Sequence, residues 1–212
     1  MRILCIGGSG NISTSVVKLG LSQGHEVIIL NRHGDQELEA LGARHIPCDV
    51  YEGTQLKDAV AGLDIDAAID FICYTPEDAK RDFEAFNGKV RQFIFISSCT
   101  VYQKPCFVTP ITEDVPLKNP YSDYARNKMA CEFYFLERYR EDDFPVTIVR
   151  PSHTYGEKKL VVGPLMGWQV PHWTFAQRIL DGKPVIVHDT GRSLWTVTHS
   201  DDLAKGICGL LG

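Results

Sequence analysis

Met1-Arg2-Ile3-Leu4-Cys5-Ile6-Gly7-Gly8-Ser9-Gly10-Asn11-Ile12-Ser13 is the stretch whose reading decides the fold. Its apolar opening is too short for a membrane span or the core of a signal peptide, so it reads as a buried first strand. Glycines then let the backbone turn tightly, and residues 11–23 continue with helical periodicity. A strand, a glycine turn and a helix start in direct succession bring backbone amides and the positive end of the helix dipole to one point. That arrangement suits a pyrophosphate. Gly7, Gly10, Asn11 and Ile12 are therefore candidate dinucleotide-binding residues, the plainer alternative being an ordinary strand-to-helix turn.

Outward from that turn, short β-rich runs alternate with helical patterns, the rhythm of parallel strands joined by helical crossovers. Residues 26–30, 44–48, 67–71, 92–97 and 146–149 read as further strands, apolar enough to be buried on both faces. Residues 53–61 read as a short helix. Thr75-Pro76-Glu77-Asp78 supplies a hydroxyl cap, a proline at the first helical position and acids in the first turn, which start a helix running to Phe86. Plain capping accounts for those residues. A longer helix at residues 120–140 carries Ala125, Met129, Phe133 and Leu136 at helical spacing, and these four are expected to face the sheet. The pattern predicts an α/β fold: a Rossmann-like, doubly wound parallel sheet forming a dinucleotide-binding domain over residues 1–150.

After Arg150 the rhythm loosens. Gly163-Pro164 and Pro171 interrupt the chain, residues 173–181 read as a helix, and residues 185–188 and 194–198 read as short strands. A capped helix from Ser200 reaches Leu211 with no terminating element after it. Residues 151–212 are thus expected to begin a C-terminal substrate-binding lobe that is cut short.

Composition narrows the classes of function. With 212 residues, 44% hydrophobic and 23% charged, the chain has the make-up of a globular protein with one substantial core. A formal charge of -5 and the absence of clustered Lys and Arg argue against a nucleic-acid footprint. No membrane segment is expected. Seven scattered cysteines without paired short spacing read as free thiols in a reducing cytoplasm, and no Cys or His has zinc-like spacing, so no metal site is expected.

Two further places carry chemistry. About 20 residues past the glycine turn, where an acid would accept the ribose 2′-hydroxyl of NAD, the chain has Asn31-Arg32-His33. A guanidinium suits a phosphate and cannot accept a hydrogen bond, so Arg32 favours NADP over NAD, the alternative being a solvated surface arginine. At the carboxyl end of the fifth strand, Ser97-Ser98-Cys99-Thr100-Val101-Tyr102 places hydroxyls on the edge where parallel sheets bind ligands. Tyr124 and Lys128 stand at i and i+4 on one helix face. Since an ordinary tyrosine titrates near pH 10, proton transfer at neutrality needs such a cation beside the phenol. Ser98 would bind a substrate oxygen, Tyr124 would move its proton, and Lys128 would steady the phenolate.

Taken together, the glycine turn, the strand-end serines and the Tyr-x-x-x-Lys helix resemble the extended short-chain dehydrogenase/reductase family of NAD-dependent epimerases, dehydratases and sugar reductases, over nearly the whole chain. The resemblance implies Ser98, Tyr124 and Lys128 as the catalytic trio, with Tyr124 and Lys128 also touching the cofactor. It implies an adenine contact at Asp49-Val50, cofactor contacts at Asn31, Phe71 and Pro151, and a substrate such as a sugar nucleotide or related carbonyl compound. It further implies a homodimer through the helices at residues 76–86 and 120–140. Departures from the family pattern are Ser13 for the third glycine, Gln103 after Val101-Tyr102, and Asp70-Phe71-Ile72-Cys73 in place of a small-residue strand end. The competing function is a non-catalytic dinucleotide-binding relative that senses the nucleotide or contacts RNA.

Overall fold

The computed structural model describes residues 1–160, 173–187, 190–192 and 195–212. Six strands, β1 (Arg2–Ile6), β2 (Glu26–Asn31), β3 (Arg44–Pro47), β4 (Ala67–Asp70), β5 (Gln92–Ile96) and β6 (Val146–Val149), form one sheet. They run parallel in the order β3-β2-β1-β4-β5-β6. The order reverses between β1 and β4, and ligands of such sheets bind in the crevice beyond the strand ends at that reversal. Every candidate site residue before Asp123 follows the carboxyl end of one of these strands.

Both faces of the sheet are covered, as near-continuous apolar strands require. On one face α3 (Gln55–Val60), α4 (Pro76–Phe86) and α5 (Asp123–Asp142) enclose a core dominated by aromatic rings, with Phe86, Phe93, Phe95, Phe135 and Phe144 fully buried. On the other lie α1 (Asn11–Ser22), the short α2 (Gln36–Ala40) and α7 (Ser200–Gly209), whose Ala204, Ile207 and Cys208 pack with Val16, Val17 and Ile29. The chain's last helix therefore completes a layer begun by its first. Between them, β7 (His153–Tyr155) and β8 (Val197–His199) pair as a separate two-stranded parallel sheet, and α6 (Trp173–Leu180) follows β7 with no residue buried among those described.

The local signals act as expected at the helix starts. Thr75 caps α4 through Asp78 N, Pro76 occupies its first position, and Ser122 caps α5 through Ala125 N. The buried face of α5 differs from the expected one. Phe133 faces solvent, while Ala125, Lys128, Cys131, Glu132 and Phe135 are buried. Residues 185–187 form no strand, and the strand expected at 194–198 is β8, shifted toward His199. Gly163, Pro164, Pro171, His188 and Leu194 lie outside the described residues. Among the described residues no helix is long and apolar enough to cross a membrane.

Candidate active site

The glycine turn is closed from within. Gly7 has φ 78°, and a Cβ there would lie 2.6 Å from Ile72 Cγ2, while one on Gly8 would lie 2.8 Å from Ile29 Cγ2. Side chains at both positions are thus excluded by the packed loop and sheet, which keeps the backbone of the turn bare. Ser13, standing at the third glycine position, donates its hydroxyl to Gly7 O at 2.7 Å and accepts from Gly10 N at 2.7 Å. Its hydroxyl is used up by the turn rather than left for a phosphate, so the substitution stiffens the loop.

Among the described residues, two buried acceptors around this turn have no hydrogen-bond partner. Asn11 uses its amide nitrogen on Thr154 O at 3.3 Å, and Asn31 uses its own on Ser9 Oγ at 3.0 Å, yet the Oδ1 of each is buried and unbonded. Buried polar atoms are nearly always satisfied, so acceptors left open beside a phosphate-shaped turn fit a ligand bearing hydroxyl donors, such as a nucleotide ribose. The residues present fit a dinucleotide.

On the outer rim Arg32 is exposed, with Nη1 3.9 Å from Asp49 Oδ2. Asp49 also accepts from Tyr51 N at 3.1 Å, a local turn bond, and Val50 is buried. A second cation, not foreseen from the sequence, reaches the same rim: Lys158 Nζ donates to Ser9 O at 3.0 Å and contacts Asp35 at 3.2 Å. Phe71 packs half-buried against the core shared by α1 and α7, and Pro151 is buried with its carbonyl accepting from Cys99 N at 2.9 Å.

The three catalytic candidates meet at the ends of β4 and β5. Ser98 accepts hydrogen bonds from Thr100 N at 3.2 Å and Thr100 Oγ1 at 3.0 Å. With its acceptor sites taken, its proton is what it has left to give. Tyr124, half-exposed, faces it; burial raises the Tyr124 phenol above its ordinary value and the hydrogen bond from Ser98 opposes that rise. Lys128 is only 1% exposed, and its ammonium donates to Cys73 O and Ile96 O, both at 2.7 Å. It lies 4.9 Å from the ring centres of Tyr74 and Phe95 and 5.9 Å from that of Tyr124. Burial lowers its pKa, although the aromatic faces and carbonyl oxygens around it favour the charged form.

Beneath this group lies a polar network that hydrophobic periodicity does not reveal. Glu132, fully buried one turn past Lys128, receives the Arg150 guanidinium through Nε at 3.0 Å and Nη2 at 2.7 Å, and also the Ser97 hydroxyl. Arg150 Nη1 donates to Tyr102 Oη at 3.1 Å. The signal that could have found it was an acid four residues beyond Lys128 together with an arginine closing the sixth strand. Burial pushes the Cys73 and Cys99 thiols up, which suits packing rather than nucleophilic roles.

Against known proteins, the model of the NAD dependent epimerase/dehydratase family matches residues 83–211, more than half of the chain. The chain belongs to this epimerase/dehydratase family. Among curated relatives, it is 27% identical over 211 residues to the 2'-dehydrokanamycin reductase of Streptomyces kanamyceticus, covering 100% of this chain and 58% of that protein. It is 25% identical to the chloroplast stem-loop binding protein of 41 kDa b of Arabidopsis thaliana, covering 100% of this chain and 55% of the relative. The chain therefore spans less than two thirds of the length of these relatives. The fold matches Pal from Bacillus thuringiensis with a TM-score of 0.82 at 24% identity, over 98% of this chain and 72% of that one. It also matches the UDP-glucuronic acid 4-epimerase of Bacillus cereus in complex with NAD, with a TM-score of 0.81 at 20% identity, over 100% and 74% of the two chains.

Proposed function

We propose that this chain is the cofactor-binding and catalytic part of an NAD(P)-dependent epimerase, dehydratase or reductase acting on a sugar nucleotide or related carbonyl or alcohol. The observation that carries the reading is Lys128, whose buried ammonium is tethered to two strand-end carbonyls beside Tyr124. An unpaired lysine buried in this way is costly, and proton transfer by a nearby phenol gives the cost a use.

In the proposed mechanism Ser98 turns its proton from Tyr124 to the substrate oxygen and orients it. Tyr124 takes the proton of a substrate hydroxyl, or returns one to a carbonyl, while Lys128 disfavours protonation of the resulting phenolate. When bound, the nicotinamide dinucleotide supplies the hydride acceptor or donor. Gly7, Gly10, Asn11 and Ile12 would hold its pyrophosphate, Asn31 a ribose hydroxyl, and Asp49 and Val50 the adenine; Phe71, Tyr124, Lys128 and Pro151 would flank the nicotinamide half. Arg32 and Lys158, two cations on the rim where the ribose 2′-position falls, support NADP over NAD. Homodimerisation through α4 and α5, cytoplasmic location, and division into a dinucleotide domain over 1–150 and the beginning of a substrate lobe over 151–212 complete the proposal.

The test is Tyr124→Phe. Turnover on a panel of sugar nucleotides is expected to fall about a thousandfold, with NADP and NAD affinities by calorimetry unchanged. Undiminished turnover would remove Tyr124 from the chemistry, and an NADP preference that survives Arg32→Ala would remove Arg32 from cofactor choice. The similarity to the stem-loop binding protein favours a second reading, in which the chain contacts RNA. Tight, salt-sensitive retention of RNA on filters, without turnover, would select it.

A further inference from the structure

The departure at the end of β4 leads to a second buried guanidinium. Asp70 is fully buried; its Oδ1 accepts from the amides of Ile72 at 2.5 Å and Cys73 at 2.9 Å, and its Oδ2 lies 3.3 Å from Arg81 Nη2. Asp78 continues the pattern, with Oδ2 accepting from Tyr74 N and Thr75 N at 2.9 Å each and Oδ1 3.1 Å from Arg81 Nη1. Four successive amides, residues 72–75, thus end on two carboxylates held by one guanidinium. Arg81 also donates to Val50 O at 3.4 Å and lies 5.4 Å from the centre of the Tyr51 ring, whose hydroxyl donates to Ile72 O at 2.7 Å.

This expenditure of buried charge is poorly explained by stability, because a buried ionic cluster is often no more stable than well-packed apolar groups. It is better explained by what the loop does. Ile72 forms the wall against Gly7, and the carbonyl of Cys73 is one of the two that hold the Lys128 ammonium. We infer that Arg81 is a positioning residue: through Asp70 and Asp78 it fixes the loop at residues 72–75, and through the Cys73 carbonyl it sets where Lys128 stands beneath Tyr124. Its catalytic meaning rests on the reaction proposed above; its hold on the loop and on Lys128 does not.

Arg81→Lys is the informative variant, since it keeps the charge and removes the fork that spans Asp70, Asp78, the neighbouring Asp82 and the Val50 carbonyl. Three readouts are taken on the whole chain once circular dichroism shows it folded. Amide exchange at residues 72–75 is expected to quicken at least about tenfold. The Lys128 Nζ titration, followed by nitrogen-15 NMR, is expected to move up toward the ordinary lysine value as the loosened loop admits water to the ammonium and relieves the burial that lowers it. NADP affinity is expected to fall about tenfold, a change of about 1.4 kcal/mol. The titratable groups facing Lys128 are Tyr74 and Cys73 from the loop, Tyr124 and Cys131 from its own helix, and Asp70 and Asp78 beyond, all unchanged by the substitution. A lowered melting temperature with unchanged loop exchange and an unchanged Lys128 titration would make Arg81 merely structural and overturn the inference. Should Arg81→Lys not fold, Asp70→Asn, which keeps one acceptor for the amides and drops the charge that Arg81 grips, is read by loop exchange and NADP affinity alone, because the Asp70 charge acts directly on Lys128. If the unsubstituted chain binds neither NADP nor NAD, the proposed function fails, while exchange and Lys128 titration still decide the role of Arg81.

Discussion

Two guanidinia stand under the candidate active site, and they differ in stoichiometry rather than depth. The side chains of Arg81 and Arg150 are 16% and 18% exposed, so burial does not separate them. Arg150 meets one carboxylate, Glu132, through its Nε edge and is completed by a neutral phenol. Arg81 meets three, Asp70, Asp78 and Asp82, with Asp82 Oδ1 bonded at 2.6 Å and 2.9 Å. One cation cannot neutralise three anions. The surplus is absorbed at Asp82, which is pushed well above the usual carboxylate range by burial and by the adjoining Asp70, against the pull of Arg81. A hydrogen bond shared with the Asp70 carboxyl adds to the preference of Asp82 for its protonated form. A matched pair is a fastener, whereas an oversupplied one is also a proton store.

That contrast is broken most directly at Glu132. Glu132→Ala strands Arg150 without a counter-charge in the interior and is expected to cost about 3–5 kcal/mol in urea unfolding. A loss under about 1 kcal/mol would show that Arg150 is as replaceable as a surface charge.

Asp82→Asn sharpens the other side through its pH dependence. The unfolded chain releases the Asp82 proton near its ordinary value of 3.8, while the folded chain keeps it to higher pH. Over that interval the folded state binds the extra proton, so the contribution of Asp82 is fully present below the unfolded value and is lost as pH rises through the folded one. Asn carries no such proton. The variant should match the parent at acid pH and become progressively the more stable of the two toward the folded Asp82 value, as measured by thermal melts across pH. The groups facing Asp82 are Asp70, Arg81 and Cys73, common to both proteins. Parallel melting curves across the range would show that the surplus proton is not there. The smallest effect is expected from Tyr102→Phe, which removes one hydrogen bond from Arg150 and should cost about 1 kcal/mol, with Glu132 still in place.

Neither cluster was legible in the sequence, and the reason is physical. The glycine turn and the Tyr124–Lys128 pair are local patterns, where spacing along the chain is spacing in space. Arg81 and Asp70 are separated by a turn and a helix start, and Arg150 and Glu132 by the rest of α5 and a strand. Asp78 was fully accounted for as a capping residue, which hid its second bond. The face of α5 was misread for a related reason: apolar periodicity selected Phe133, but the stripe against the sheet includes Lys128 and Glu132, whose burial is made tolerable by partners from other elements. The parallel sheet followed from the alternating pattern because connection rules leave few arrangements open. Beyond Arg150, where short elements lean on one another across long intervals, the boundaries slipped.

The pairing of α7 with α1 has a consequence for how the molecule is made. Ile3, Cys5, Val17 and Ile29 lie under a layer that includes Ala204, Ile207 and Cys208. With α1 and α2 alone on that face, the part of the sheet beneath α7 stays open to water until the stretch from Ser200 onward has been made.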